Sequence, residues 1–287
     1  MEHRENVALV ALSMRRARRG DLMAIRQSLI AGTPPTKIAK ELPLEPEALA
    51  HAEEFIHRWT EDGHPPTTWL DEAYPTQLRD VHDFPPVVFM SGVHVPEDFG
   101  VCVVGSRDAD PATLDLAREI SMRLAESEIT VVSGLAQGVD TVAHQTALSQ
   151  NARTVAVIGT GIDIAYPKQN ESLQDVIKAR GLVLSQFWPG SSPTKVSFPM
   201  RNAVMSAYAQ ATIIVGASES SGTRHQAAQA VAHGRPLVLM RKVASETSWG
   251  RKLTDDPAAL VAVAETPVEA AEMAYGLSDR LLVPQLT

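Results

Sequence analysis

Apolar positions follow two different rhythms along the chain, and the rhythm changes near residue 100. Before it, apolar residues recur at helical spacing in NVALVALSMRRARRGDLMAIRQSLIAG and LEPEALAHAEEFIHRW, with turn residues at 20–21 and 32–35. This spacing predicts short helices, and we expect a small all-helical N-terminal domain over 1–66. The proline- and aromatic-rich segment DGHPPTTWLDEAYPTQLRDVHDFPPVVFMSG then favours a packed connector over a flexible linker, because a linker would leave its apolar side chains exposed.

From Gly100 onward, short β-branched runs alternate with helical patterns. Unbroken apolar runs are typical of strands buried on both faces, so they predict a mainly parallel sheet with flanking helices. Asp110-Pro111 is a helix start and Gly234 a helix stop. We therefore expect an α/β domain over 67–278 and a C-terminal tail over 279–287. The predicted strands are VCVV (101–104), TVV (130–132), TVAVI (154–158), LVLS (182–185), ATIIV (211–215), PLVLM (236–240) and LVAVAE (260–265).

Composition excludes several classes of protein. With 287 residues and 44% hydrophobic residues the chain can form a packed core, yet no apolar run reaches the roughly 18 residues of a membrane span. The acidic residues in the first segment are unlike a secretory signal, so we expect a cytoplasmic protein. The lone Cys102 predicts a small buried hydrophobe, and the scattered histidines predict no metal site.

Charge is uneven along the chain. Residues 1–100 hold 10 Lys+Arg against 16 Asp+Glu, residues 101–245 hold 13 against 11, and residues 246–287 hold 3 against 7. The overall charge of −8 therefore lies outside the middle segment, which has a net charge of +2. An acidic whole argues against indiscriminate nucleic-acid binding, but the middle segment is able to present a local positive groove. The arginines at 15, 16, 18 and 19 are interpreted as a solvated helix face.

Glycine-bearing loops follow several of the predicted strands. The carboxyl ends of parallel strands share one edge of a sheet, where ligands bind in folds of this class. Glycine lets backbone amides approach an anion, hydroxyls add donors, and Arg107 adds a guanidinium that can grip a phosphate. The loops therefore predict a site for a nucleotide or a nucleic-acid backbone. Their residues are Gly105, Ser106, Arg107, Ser133, Gly134, Gly138, Gly159, Gly161, Ser221, Gly222 and Thr223.

Catalytic motifs are not found in the sequence. It has neither G-x-x-x-x-G-K-[ST] nor a G-x-G-x-x-G after the first predicted strand, and GASESSG is not a nucleophile elbow. Asp140 and His144 are spaced i, i+4 and could form an acid/base pair. We favour a structural role, with Asp140 capping its helix and His144 bonded to a neighbouring loop. We therefore expect a binding protein without a cofactor rather than an enzyme.

Five motifs in order resemble the DprA (Smf) family of DNA-processing proteins. They are VVGSR (103–107), VVSGLAQGVDTVAH (131–144), TVAVIGTGIDIAYPKQN (154–170), FPMRN (198–202) and SGT (221–223). The upstream AYPTQLRDVHDFPPVVFMSG (73–92) resembles the family's lead-in to its first strand, so the likeness covers about 73–240.

The resemblance implies an extended Rossmann-like fold, often preceded by a small helical domain. Members bind single-stranded DNA, usually as dimers, and deliver it to the recombinase RecA in natural transformation and recombination, without covalent chemistry. Carried over, Arg107 grips a phosphate, Gly105, Ser106, Ser133 and Gly134 line the pocket, and Arg201 with Asn202 add contacts where they open a helix. Beyond the family motifs, we expect Lys168 and Lys195 to flank the same phosphate path.

The chain also departs from the family pattern. Members commonly carry a glutamate after the strand equivalent to 211–215 and then S-G-S-L-I-T-A, whereas this chain has Gly216 and, later, Arg224-His225. These changes place a cation and a titratable ring, both candidate auxiliary site residues, where apolar residues usually pack. Many members continue into a winged helix, whose activity we do not expect from a sequence ending in this acidic segment.

Two alternatives to a DNA-binding mediator stay open at this point. The first is a nucleotide-binding or nucleotide-processing protein related to the LOG enzymes, favoured by Gly216, Arg224 and His225, although the G-G-x-G-T motif and its glutamate are incomplete here. The second is a protein-interaction scaffold with a vestigial pocket, whose acidic ends bind a partner. For a homodimer, the apolar region of the strands at 211–215 and 236–240 is the expected contact.

Overall fold

A computed structural model describes residues 2–15 and 20–282, with side chains up to residue 278. Arg15 pairs with Asp21 at 3.3 Å and its side chain is 19% exposed, so the interpretation of Arg15 as part of a solvated face was wrong. The other three arginines of that expected face, Arg16, Arg18 and Arg19, lie outside the described residues, as does the part of the expected tail at 283–287.

The N-terminal segment is helical, as its periodicity predicts. Helix α1 buries its apolar run Val7–Leu12 almost completely, and its core is continuous with that of the sheet. Trp59 stacks on Trp188 with ring centroids 5.2 Å apart and meets Phe89 edge-on at 5.3 Å, which fixes the helices against the sheet. The helices are α1 (Glu2–Met14), α2 (Asp21–Ile30), α3 (Pro35–Glu41) and α4 (Ala48–Glu61).

Strands of the described residues form one sheet in the order β1-β2-β6-β5-β4-β3-β7-β8-β9. All the predicted strands are confirmed. Across the sheet, every neighbouring pair in the order β6-β5-β4-β3-β7-β8-β9 is parallel. The connector also supplies two strands that the sequence did not predict, β1 and β2, which pair antiparallel at one edge. The strands are β1 (Pro66–Thr68), β2 (Val87–Gly92), β3 (Gly100–Gly105), β4 (Thr130–Ser133), β5 (Thr154–Val157), β6 (Leu182–Ser185), β7 (Ala211–Gly216), β8 (Leu237–Met240) and β9 (Val261–Ala264).

Helices cover both faces of this sheet. The predicted helix start at Asp110-Pro111 is confirmed, since the Asp110 side chain accepts a hydrogen bond from Thr113 N at 2.7 Å. The predicted stop is confirmed as well, since Gly234 follows α9 with a φ of +65°. The helices are α5 (Pro111–Glu126), α6 (Val139–Ser149), α7 (Glu171–Arg180), α8 (Ser197–Tyr208), α9 (Thr223–Ala232), α10 (Arg241–Glu246), α11 (Ser248–Thr254) and α12 (Pro267–Leu282).

Two apolar cores lie on the two faces of the sheet. Helices α5, α6 and α12 pack on one face. Helices α7, α8 and α9 pack on the other face, together with the N-terminal helices. Cys102 is fully buried in this second core, as predicted. Among the described residues, no helix combines the length and apolar composition needed to cross a membrane.

The strand order reverses between β3 and β7. Successive strands run outward from β3 through β4, β5 and β6, and the chain then returns to place β7 on the other side of β3. In open α/β sheets ligands bind outside the carboxyl ends of the strands at such a switch point. The same order places β7 and β8 inside the sheet with their side chains buried, so the expectation that they form a dimer contact was wrong.

Candidate nucleic-acid interface

A cleft of about 400 Å³ opens at the switch point. Its walls come from the loop after β3, the loop after β7, the start of α6 and the first two turns of α8. The N-termini of α6 and α9 both reach it, and the positive ends of helices favour anions. The fold therefore brings ten of the predicted site residues, from loops and from helix starts, to one anion-favouring cleft. These are Gly105, Ser106, Arg107, Asp140, Arg201, Asn202, Ser221, Gly222, Thr223 and His225.

Arg107 lies exposed at the mouth of the cleft. Its loop is held by a close approach to Gly138, whose φ is +78° and where an added Cβ would stand 2.4 Å from the carbonyl oxygen of Ser106. The guanidinium carbon of Arg107 lies 5.1 Å from the ring centroid of Phe198, a cation–π geometry. Arg107 is thus both available to a ligand and oriented by an aromatic ring.

An aromatic surface continues from this arginine. The ring of Phe198 lies 5.7 Å from that of Tyr166, and Tyr166 is 42% exposed. Phe198 and Tyr166 also line a smaller cavity of about 60 Å³ beside the cleft, together with Gly134 and Gly159. Sequence reasoning did not place Tyr166 in the site; its signal was the YP dipeptide within the third family motif.

Arg201 forms the floor of the cleft rather than its mouth. It is 6% exposed, and its Nη1 donates hydrogen bonds to the carbonyl oxygens of Gly134 and, at 3.0 Å, of Val157. Burial lowers the pKa of the guanidinium, against the opposing charge of Asp140. The sequence had suggested that Arg201 and Asn202 open a helix, and this was wrong. Helix α8 begins at Ser197, so both residues lie in its second turn.

The second glycine loop is shaped around this buried guanidinium. An added Cβ at Gly134 would stand 1.7 Å from Nη1 of Arg201, so the loop requires glycine there. Ser133 is fully buried and donates to the carbonyl oxygen of Val103 at 2.7 Å, which turns its hydroxyl away from the cleft. Arg201 Nε in turn donates to Asn202 Oδ1 at 3.0 Å. These residues form one packed unit beneath the site.

Asp140 and His144 also belong to the floor. Asp140 Oδ2 accepts hydrogen bonds from the backbone amides of Gly134 at 3.1 Å and Ala136 at 3.3 Å. Burial raises its pKa, an effect that the nearby Arg201 charge opposes. His144 is fully buried with Nδ1 2.7 Å from the hydroxyl of Thr154, and burial lowers its pKa to about 3. Both residues hold the fold, but the expected partners were wrong: Asp140 bonds to the loop before α6 instead of capping that helix, and His144 contacts strand β5 rather than a loop.

The loop after β7 forms the opposite wall. Ser221 and Thr223 bond to each other through their hydroxyls at 2.7 Å, and Gly222 precedes the first turn of α9. Arg224 and His225 are exposed on that turn instead of packed in the interior. Gly216 is a packing position, since an added Cβ there would stand 2.5 Å from Cγ2 of Thr113.

The remaining expected site residues differ in accessibility. Lys168, at the start of a short 3-10 turn, and Lys195, just before α8, are both exposed. Gly159 is buried against Phe198, whose ring would stand 3.1 Å from an added Cβ. Gly161 is buried too, and its amide donates to the carbonyl oxygen of Ser191 at 2.9 Å. The two lysines are therefore open to a ligand, whereas these glycines support the loops.

Comparison with known proteins gives a consistent result. The family model for DNA recombination-mediator protein A matches residues 66–272. The DNA processing protein DprA of Streptococcus pneumoniae is 38% identical over 172 residues, which cover 58% of this chain and 60% of that protein. Protein Smf of Escherichia coli is 33% identical over 171 residues, 59% of this chain and 46% of that protein. The chain thus spans about half the length of these curated relatives.

Solved structures extend the likeness to the fold. The crystal structure of DprA from Streptococcus pneumoniae covers 96% of this chain and 94% of its own, with 26% identity and a TM-score of 0.66. A structure that describes the single-stranded DNA binding mode of DNA processing protein A from Helicobacter pylori covers 76% of this chain and 95% of its own, with 24% identity and a TM-score of 0.61. The mixed α/β fold and the family resemblance are both confirmed.

Proposed function

The chain belongs to the DNA recombination-mediator protein A family, and from that premise we propose that it binds single-stranded DNA at the switch-point cleft and delivers the strand to a RecA-type recombinase. The Helicobacter pylori protein with the same fold is described as binding single-stranded DNA. The proposal concerns the chain's own described residues and the surface that they form.

The observation that carries this proposal is the exposed guanidinium of Arg107 at the mouth of the cleft. A guanidinium in that position can donate two parallel hydrogen bonds to a phosphate. Phe198 beneath it and the exposed Tyr166 beside it offer aromatic faces on which unstacked bases can stack. A flexible single strand is able to use phosphates and base faces together, whereas a duplex keeps its base faces stacked.

Charge around the cleft sets the strength of binding. Lys168 and Lys195 add exposed cations on loops beside α8, while Asp108 at the mouth reduces the local positive charge. With few phosphate contacts, we expect moderate affinity that falls as salt rises, with a slope of about −0.7 per phosphate contact for a single strand. Sequence preference should be weak because stacking tolerates every base.

Fluorescence anisotropy with a labelled oligonucleotide tests the proposal. We expect Arg107→Ala to weaken binding about tenfold or more at low salt, since a charge-assisted contact to phosphate is lost. Arg118→Ala is the control, because Arg118 is exposed on α5, pairs with Asp115 and does not line the cleft. Equal affinity of wild type and Arg107→Ala would overturn the proposal, and displacement by a mononucleotide at micromolar concentration would favour a nucleotide-binding role.

Recombinase delivery has a separate test. A bacterial recombinase hydrolyses ATP on single strands, and coating the strand with a single-strand-binding protein delays it. The proposal predicts that wild type shortens this delay and that Arg107→Ala does not. If Arg107→Ala captures the recombinase and shortens the delay as well as wild type, the cleft is not the delivery site and a scaffold role is favoured.

A homodimer is part of the same proposal. Strand β9 is paired on one side only within the described sheet, and the exposed apolar side chains of Leu260, Val268 and Tyr275 lie in or beside it and α12. We expect a dimer at micromolar concentration by sedimentation equilibrium, weakened by Tyr275→Glu. A monomer at every concentration would contradict this part of the proposal.

A further inference from the structure

Gln226 is a buried polar side chain without a hydrogen-bond partner. It lies in the first turn of α9, is 1% exposed and lines the switch-point cleft. Among the residues that the structure describes, neither its Oε1 nor its Nε2 has a partner. Buried polar atoms are nearly always paired in folded proteins, so an orphaned carboxamide beside a cleft indicates a ligand that completes it.

The surroundings of Gln226 explain why the protein itself leaves it unpaired. The nearest hydroxyls in the loop, those of Ser221 and Thr223, bond to each other at 2.7 Å. The other walls of the same cleft are mixed. Val104 at the end of β3 and Met205 on α8 are apolar, whereas Asp140 and Asn202 are polar. Of the two carboxamides that line the cleft, Asn202 accepts from Arg201, whereas Gln226 presents an unpaired acceptor and donor side by side.

Nucleobases have the matching edge. Each DNA base places a hydrogen-bond donor next to an acceptor on one edge, and glutamine pairs with such an edge in bidentate fashion. Rotation of the amide by half a turn reverses its donor and acceptor, so one glutamine is able to serve different bases. A volume of about 400 Å³ leaves room for a base in the cleft.

We propose that one nucleobase of the bound strand enters the cleft and hydrogen-bonds to Gln226, while a neighbouring phosphate stays at Arg107. This inference rests on the proposed binding of single-stranded DNA and adds a base subsite to it. The contact distinguishes a strand with bases from a bare sugar-phosphate chain rather than one sequence from another. Gln226 is then a binding residue, and its unpaired state in the free protein is the cost of that role.

Two oligonucleotides separate this subsite from the phosphate path. One is a run of twelve thymidines, and the other is the same length of abasic sugar phosphate. Gln226→Met keeps the size and burial of the side chain but removes the amide. The control is Gln229→Met, which makes the same change one turn along α9 at a residue that does not line the cleft.

We expect Gln226→Met to weaken binding of the thymidine strand about tenfold and binding of the abasic strand less than twofold. Its melting temperature should equal or exceed that of wild type, because a buried unpaired amide has been removed. Gln229→Met should change neither affinity. The base subsite would be overturned if Gln226→Met lost affinity equally for both strands, or if it kept wild-type affinity for the thymidine strand and only its melting temperature fell. Failure of wild type to bind either strand would overturn the proposed function itself.

Discussion

Arg107 and Arg201 line the same cleft, yet one is exposed at its mouth and the other is buried at its floor. At the mouth, Arg107 is exposed above the ring of Phe198. At the floor, Arg201 is buried and its donors are bonded to the carbonyl oxygens of Gly134 and Val157. The two guanidiniums have the same chemistry, so their surroundings alone leave one accessible to a ligand and hold the other within the fold.

The buried floor supports the exposed mouth through α8. Arg201 ties α8 to β5 and to the loop after β4, and α8 carries Phe198, on which Arg107 rests. Changes at the floor should therefore act on stability first, and changes at the mouth should act on binding alone.

The largest expected effect is at the floor. Arg201→Met removes the charge that faces Asp140 and leaves two buried carbonyl groups without their donor, so we expect a loss of about 3–5 kcal/mol in the free energy of unfolding. Urea denaturation followed by circular dichroism measures it. Arg107→Ala is the matched comparison and should change stability by less than about 0.5 kcal/mol. Equal stability of wild type and Arg201→Met would contradict a structural role for the buried guanidinium.

Acid should destabilise the floor through His144. Its pKa in the folded protein is about 3, below the ordinary value of 6.5, so between these values the unfolded chain binds a proton that the folded protein does not. The contribution of neutral His144 to the free energy of unfolding is complete above pH 6.5. It falls as the pH drops towards 3, by about 1.4 kcal/mol per pH unit. The free energy of unfolding, measured at pH 6, 5 and 4, should depend on pH less steeply in His144→Gln than in wild type, by the equivalent of one proton. Equal slopes for the two proteins would contradict the assignment of this effect to His144.

A smaller effect is expected from the aromatic surface at the mouth. Phe198→Leu keeps an apolar side chain against Gly159 but removes the ring under Arg107 and beside Tyr166. Loss of one stacking face should weaken oligonucleotide binding by about 1–2 kcal/mol, with little change in the salt slope. Anisotropy titrations at two salt concentrations measure both quantities. Wild-type affinity would show that bases do not use this surface.

The smallest effect is expected at the flanking lysines. Lys168 and Lys195 are exposed, so each alanine substitution should weaken binding only about two- to fivefold at low salt. Unlike Phe198→Leu, each should also reduce the salt slope by about 0.7 if it removes one phosphate contact. A loss of affinity without any change of slope would place that lysine outside the phosphate path.

The same comparison shows how far the sequence could predict the molecule. Unbroken apolar runs predicted every strand from β3 to β9, because burial on both faces leaves a local signature. Strands β1 and β2 were missed because their segment is rich in proline and its pairing with β6 is long-range. The sequence placed Arg107 and Arg201 in family motifs alike, and it could not separate them. Burial of Arg201 depends on the meeting of α8, β5 and the loop at Gly134, which no local pattern records.

The most direct test of the account measures affinity and stability together for Arg107→Ala. Oligonucleotide binding is titrated over salt by anisotropy, and the melting temperature is taken on the same preparation. We predict a melting temperature equal to that of wild type, affinity about tenfold lower or more, and a salt slope smaller by about 0.7. Wild-type affinity with wild-type slope, or a fall in affinity matched by a fall in melting temperature, would contradict the claim that the exposed mouth binds the strand.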